Sequence, residues 1–468
     1  MSRKDRRAQQ KLSGRAGAVP PPPARPTPAI PIDTVPLLQQ QAMGAYQAGR
    51  KPDALAVCRQ ILKLQPMRAD VMAFGGMIAL ELDRYAEAVE LYRSAVAIRP
   101  DFAEAFYNLG NALMKLDKPE EAVAAYGRAA SLRPAMATAH NNLGNALQAL
   151  DRLGEAAEAY RKALAVTPDA LEPMRNLGIV LHKAKQGAEA AEVFRRVLRL
   201  KPDYASIYSN LSTVLLEIGE AGEALAVCDK WLALKPGDIE ALAHKAVALK
   251  ELGDRASVRK LYDFDRLTHR APIEVPASYS SLAEFNEALT KHVLAHPTLY
   301  LPSPEDPHYH HPALYITGEL FAEPKGPMAD LEVIVRGATE RYLRDHPVDA
   351  GHPFLAKHPK RWRFTCWAAV LQGEGNLSAH VHLDGYLSGV YYPLVPDVVG
   401  AEGQGSSGFL ELGRPPTDFH SSTEAEPLLI RPEPGLLVLF PAYVYHRTVP
   451  FKADQRRISI AFDMIPIE

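Results

Sequence analysis

The feature that most constrains this chain is a period. Pro66, Pro100, Pro134, Pro168, Pro202 and Pro236 follow one another at intervals of 34 residues. In register with them a small residue recurs at Ala42, Gly76, Gly110, Gly144, Gly178, Ser212 and Ala246, and a second at Ala54, Ala88, Ala122, Ala156, Ala190 and Ala224. Four residues after each member of the second series comes a larger apolar side chain: Cys58, Tyr92, Tyr126, Tyr160, Phe194 and Cys228. Small residues let two antiparallel helices approach, the larger one fills the gap, and proline ends the second helix. One such hairpin cannot bury its apolar face alone, so the period implies a stack of hairpins.

With these residues in this order, the chain resembles the tetratricopeptide repeat (TPR) over residues 35–268, as six repeats and a partial seventh. Cys58 and Cys228 then fall at core positions, as buried hydrophobes and not reactive thiols. Such solenoids present a groove that binds peptides, so a peptide or protein partner is expected there. Asn108, Asn142, Asn176 and Asn210 recur on the first helix of four successive hairpins. A side-chain amide both donates to and accepts from a peptide backbone, so the row can hold an extended peptide with little regard to its sequence. It is similar to the asparagine ladder of O-GlcNAc transferase. The competing reading gives these amides to packing and turns within the solenoid.

The flanks differ. Residues 1–34 hold seven Lys/Arg before residue 26 and a Pro20–Pro23 run, and are expected to form a disordered basic tail. After residue 268 the period is lost. Of the 16 histidines, 13 lie in the last 200 residues. Segments 281–296 and 327–345 have helical spacing of apolar residues. Short β-rich runs follow at 363–371, 387–394, 408–412, 428–430, 436–440 and 457–462, which argues for a β-sandwich or jelly roll. The expected fold is therefore two-domain: an all-α superhelix over 35–268, then an α+β domain with a double-stranded β-helix core over 269–468.

Within that second part, His382-Leu-Asp384 is followed 62 residues after Asp384 by His446. In a strand, residues i and i+2 share a face, so His382 and Asp384 can aim at one point. Two imidazoles and a carboxylate with open positions suit a non-haem Fe(II) centre. His380 shares that parity and is the nearest competitor as ligand. Eleven residues beyond His446 stand Arg457 and Ser459 on one face of an apolar strand. A buried arginine is costly unless it meets an anion, and a guanidinium with an adjacent hydroxyl suits the distal carboxylate of 2-oxoglutarate. Together His382-Leu-Asp384, Ser388-Gly-Val-Tyr-Tyr392, Phe440-Pro441, His446 and Arg457–Phe462 resemble the Fe(II)/2-oxoglutarate dioxygenases related to prolyl hydroxylases.

That resemblance implies iron at His382, Asp384 and His446, the 2-oxoglutarate tail at Arg457 and Ser459, Tyr392 against the cosubstrate, and O2 as oxidant. It implies hydroxylation of a peptide or protein recruited by the repeats. The alternatives are an inactive TPR scaffold with a degenerate jelly roll, or an oxygenase of small molecules.

Other features carry less. His308, His310 and His311, bracketed by prolines, are expected in a loop. Gly403-Gln-Gly405-Ser-Ser-Gly408 matches a dinucleotide fingerprint formally, but a strand follows it where that fingerprint needs a helix. Trp367 and Arg414 are candidates for the cavity wall. Three scattered cysteines exclude a disulfide framework, and a net charge of −2 gives no reason to expect nucleic acid or a membrane surface. No apolar run reaches the roughly 18–20 residues that span a bilayer, so a cytoplasmic protein is expected.

Overall fold

The computed structural model of the chain describes residues 34–303, 312–422 and 426–467. The basic tail over residues 1–33 and the His308, His310 and His311 cluster lie outside the described residues. The chain divides into two compact units, residues 1–146 and 147–468.

In the first unit the period becomes antiparallel helix pairs: α1 (Thr34–Gln47) with α2 (Lys51–Leu64), α3 (Ala69–Glu81) with α4 (Tyr85–Ile98), and α5 (Ala103–Lys115) with α6 (Pro119–Leu132). A seventh helix, α7 (Ala137–Ala149), runs across the division. A Cβ added at Gly110 would lie 2.5 Å from the Tyr126 ring, so the small and large series do meet. Gly49, Asp83 and Asp117 each take a positive φ in the turn within a pair, again at intervals of 34. Arg59 pairs with Glu87 at 2.5 Å, and Arg93 pairs with Glu121. Cys58 is 1% exposed, and burial pushes its thiol up to about 11, as expected of a core residue.

The second unit continues with α8 (Leu153–Val166), α9 (Leu171–Lys183), α10 (Gly187–Leu200), α11 (Ala205–Glu217), α12 (Ala221–Leu234) and α13 (Ile239–Glu251). Here a Cβ at Gly178 would meet Phe194 at 2.5 Å. The seventh repeat is incomplete because its second helix, α14 (Arg255–Leu261), stops after seven residues. A single turn, α15 (Phe264–Leu267), leads into β1 (His269–Pro272), and α16 (Leu282–Leu294) and α17 (Met328–Asp345) match the two helical segments expected.

Two antiparallel sheets follow. One has six strands in the order β1-β8-β5-β10-β3-β2, with β2 (Leu314–Ile316), β3 (Trp362–Leu371), β5 (Leu387–Leu394), β8 (Leu436–Pro441) and β10 (Arg457–Pro466). The other has four in the order β4-β9-β6-β7, with β4 (Glu374–His380), β6 (Leu410–Leu412), β7 (Leu428–Ile430) and β9 (His446–Lys452). Side chains of both sheets line one small pocket, the arrangement of a jelly roll. Six strands fall where the β-rich runs are; β1, β2, β4 and β9 do not follow from any run singled out in the sequence. Among the described residues, no helix is long and apolar enough to cross a membrane.

Candidate metal and cosubstrate pocket

Strand β10 sets out the pocket like a ruler. Arg457, Ser459 and Ala461 alternate into it while Ile458, Ile460 and Phe462 enter the hydrophobic core. Asp463 continues the same parity and is buried at 6% exposure. Opposite Asp463 in register stands Ser388 of β5, and both meet His382. The His382 Nδ1–H donates to Asp463 Oδ1 at 2.6 Å, and the Ser388 hydroxyl donates to the same oxygen at 2.7 Å. That fixes the tautomer of His382 and leaves Nε2 as its lone-pair donor.

Two further imidazoles converge on it. His380 Nδ1 hydrogen-bonds Ser378 O at 2.7 Å, and His446 Nδ1 hydrogen-bonds Val444 O at 3.1 Å. With Nδ1 so engaged, Nε2 is the ring nitrogen that each would turn to a metal. The candidate ligand atoms of His380, His382 and His446 all lie within 4.8 Å of one another. Two imidazoles bound to one ion at about 2.1 Å span no more than ~4 Å, so closure on a metal draws the rings slightly together. Three imidazoles suit a divalent first-row metal, iron among them. Trp367, its ring 5.2 Å from that of His382, and Phe440, 4.9 Å from that of His446, form apolar walls.

At the other end of β10, Arg457 is 2% exposed and, among the described residues, pairs with no carboxylate. Its Nη1 donates to Thr448 Oγ1 at 3.1 Å and its guanidinium lies 5.3 Å from the Tyr392 ring centre. Among the described residues, its Nε and the Ser459 hydroxyl have no hydrogen-bond partner although both are buried. Burial pushes the guanidinium below its ordinary range, and Tyr392 acts the other way. A cation left in this state costs several kcal/mol unless an anion completes it. The donor set therefore fits a carboxylate between Arg457 and Ser459.

The structure brings His382, His446, Tyr392, Arg457 and Ser459 into one pocket, as the sequence suggests. It does not bring Asp384 there. Asp384 is exposed on a turn, and His380, expected only near the site, takes the third place. Two local causes produce the difference. Strand β4 ends at His380, and the Gly385 N–H bonds back to His382 O at 3.1 Å, so strand parity does not extend to Asp384. The ladder between β4 and β9 also slips between Leu377 and His380, a bulge that re-aims the histidine. Sequence reasoning missed Asp463 as well, although its parity with Arg457 and Ser459 was a usable signal.

The asparagine row is partly engaged within the chain. Asn142 Nδ2 donates to the Tyr107 hydroxyl at 3.2 Å and to Asn111 Oδ1 at 3.0 Å, and Asn111 donates to Asn108 Oδ1 at 3.4 Å. Asn176 is buried and Asn210 half-buried in the second unit. Arg414 bonds Glu411 at 2.6 Å instead of lining the pocket, Arg456 is exposed, and the Gly403–Gly408 loop leads into strand β6, with no helix after it.

A solenoid of helix pairs joined to a jelly roll with a three-histidine pocket defines the class: a repeat protein with an oxygenase-type domain. Comparison with known families makes this specific. Residues 365–463 match the family described as "Putative 2OG-Fe(II) oxygenase". Residues 76–117 match a TPR repeat family, and residues 107–170, 143–205 and 181–249 match tetratricopeptide repeat families. The chain therefore carries TPR repeats within residues 76–249 and a segment, residues 365–463, that matches the 2OG-Fe(II) oxygenase family. No curated protein matches it. Among solved structures, MamA is similar at 22% identity over 37% of this chain and 95% of that one, with a TM-score of 0.36. YrrB, titled "a TPR protein with an unusual peptide-binding site", is similar at 24% identity over 38% and 92%, with a TM-score of 0.35. The type IV pilus biogenesis factor PilW is similar at 23% over 44% and 96%, with a TM-score of 0.36.

Proposed function

We propose that the chain is an Fe(II)- and 2-oxoglutarate-dependent dioxygenase that hydroxylates a peptide or protein recruited by its repeats. The observation that carries the reading is the buried, anion-less Arg457 in the same pocket as three converging imidazoles. His380, His382 and His446 hold the metal; Asp384, exposed on its turn, does not. Arg457 and Ser459 grip the distal carboxylate of 2-oxoglutarate, and the Tyr392 ring closes over the guanidinium. When bound, Fe(II) with 2-oxoglutarate and O2 supplies the oxidising power to insert one oxygen atom into a C–H bond, with loss of succinate and CO2. The chain's part is to orient and to exclude water. Asp463 and Ser388 keep the His382 ring from rotating, and Trp367 and Phe440 keep the metal side of the pocket apolar.

The solenoid supplies the substrate. Its Asn108, Asn142, Asn176 and Asn210 row is proposed to hold peptide backbone, with a bound chain exchanging for the bonds that Asn142 now makes to Tyr107 and Asn111. Succinate release from 2-oxoglutarate in the presence of Fe(II) and O2 tests the enzyme. Loss of 2-oxoglutarate binding in Arg457→Ala and of turnover in His446→Ala is expected. Turnover that survives His446→Ala would overturn the reading.

A further inference from the structure

Beyond the oxygenase pocket, a cleft of about 990 Å³ is lined by the last solenoid hairpin and the edge of the smaller sheet. Lys250, at the end of α13, and Arg255, Arg259 and Lys260 of α14 line it. None of these four cations has an ion-pair partner among the described residues. Lys250 is half-buried, and burial makes its charge costly, with Glu251 opposing and Arg414 adding to the cost.

Three carboxylates share the lining, but Asp263 is occupied in capping α15, accepting the Arg266 N–H at 3.2 Å. Four cations therefore face three carboxylates, which leaves the lining with a net charge of +1. Tyr262 and Phe264, stacked with ring centres 5.5 Å apart, add an apolar surface. Gly413, on the opposite side, directly follows β6, whose first residue Leu410 lines the catalytic pocket. Three residues of strand put the two cavities about 10 Å apart along β6.

We propose that this cleft is a docking site for an acidic segment of the peptide substrate, a few residues from the residue that enters the catalytic pocket. The inference rests on the peptide-substrate reading above and names its chemistry. Arg255 and Arg259 are one helical turn apart, about 6 Å between Cβ atoms. Acidic side chains two residues apart on an extended peptide are spaced by about 7 Å, which matches that pair. The volume is far larger than a single inorganic anion needs, and the apolar ring pair suits the stems of Glu side chains.

The test uses the full chain with a fluorescein-labelled hexaglutamate peptide, read by polarisation without iron or 2-oxoglutarate. Saturable binding that weakens with added salt is expected, with no binding of hexalysine. The Arg255→Glu/Arg259→Glu variant, altered only at exposed positions, is expected to bind at least ~10-fold more weakly with an unchanged melting temperature. Equal binding by wild type and variant would overturn the proposal. Displacement of the peptide by equimolar ATP or inorganic phosphate would also overturn it, in favour of a small-anion site. Because no turnover is involved, the two failures are distinguishable: absence of succinate release would defeat the oxygenase reading on which the proposal rests, and absence of hexaglutamate binding would defeat this proposal alone.

Discussion

At the scale of single residues the site depends on side chains that never touch a substrate. Asp463 holds His382 through Nδ1, so Asp463→Asn should weaken iron binding by roughly 10–100-fold while leaving the three imidazoles in place. Isothermal titration with Fe(II) under anaerobic conditions reads it. In the same experiment His380→Ala should abolish tight binding and Asp384→Ala should not; the reverse order would restore the carboxylate as third ligand.

A second residue sets acid stability. His244 is 3% exposed, bonded to Ser212 Oγ at 2.8 Å through Nδ1, and packed against Trp231 and Phe419. Burial pushes it down to about 4, with Asp238 opposing. The unfolded chain takes up this proton near pH 6.5 and the folded chain does not, so stability is full above that pH and falls as pH drops towards 4. The loss from this group approaches about 3 kcal/mol. Denaturant unfolding between pH 7 and 4.5 should therefore show a steeper decline in wild type than in His244→Gln; parallel curves would refute the assignment.

At the scale of elements, β5 and β10 must approach closely to bring Ser388 and Tyr392 to the same side as Asp463 and Arg457. Gly389 makes this possible, since a Cβ there would lie 2.2 Å from Phe462 and 2.8 Å from Leu439. Gly389→Ala should cost roughly 1–3 kcal/mol by overpacking and lower the thermal midpoint. An unchanged midpoint would mean that the sheet relaxes freely. The solenoid was legible at this scale, because each repeat states its small and large positions again and a chance match fails by the second copy. Strands β4 and β9 were not. Each mixes polar with apolar residues, β4 carries a bulge, and their pairing joins segments about 70 residues apart, so no local period announces them.

At the scale of the molecule, the end of the solenoid period near residue 268 is not the end of a physical unit. Backbone carbonyls of the connecting segment are taken by side chains from beyond it. His352 bonds Lys260 O at 2.8 Å, Tyr342 donates to Leu267 O at 2.9 Å, His346 bonds Arg266 O at 2.6 Å, and Tyr443 donates to Leu261 O. His420 N–H reaches Leu216 O at 3.0 Å. Tyr443→Phe leaves the buried Leu261 carbonyl unsatisfied and should cost about 1–3 kcal/mol. Limited trypsin digestion of the full chain should spare Lys260, Arg266 and Arg270 in wild type; early cleavage there would show a loose linker instead.

The sequence by itself determined the repeat architecture and the jelly roll that follows it, because these rest on periodic or strand-parity signals carried by neighbouring residues; of the eight residues it nominated for the pocket, all but Asp384 and Arg414 line it. Only the tertiary structure decided that His380 stands where Asp384 was expected, that Asp463 orients His382, and that the last hairpin and the sheet edge line a cationic cleft. Those depend on where a strand stops, where a ladder slips by one residue, and which distant segments meet, and none of these is written in local spacing.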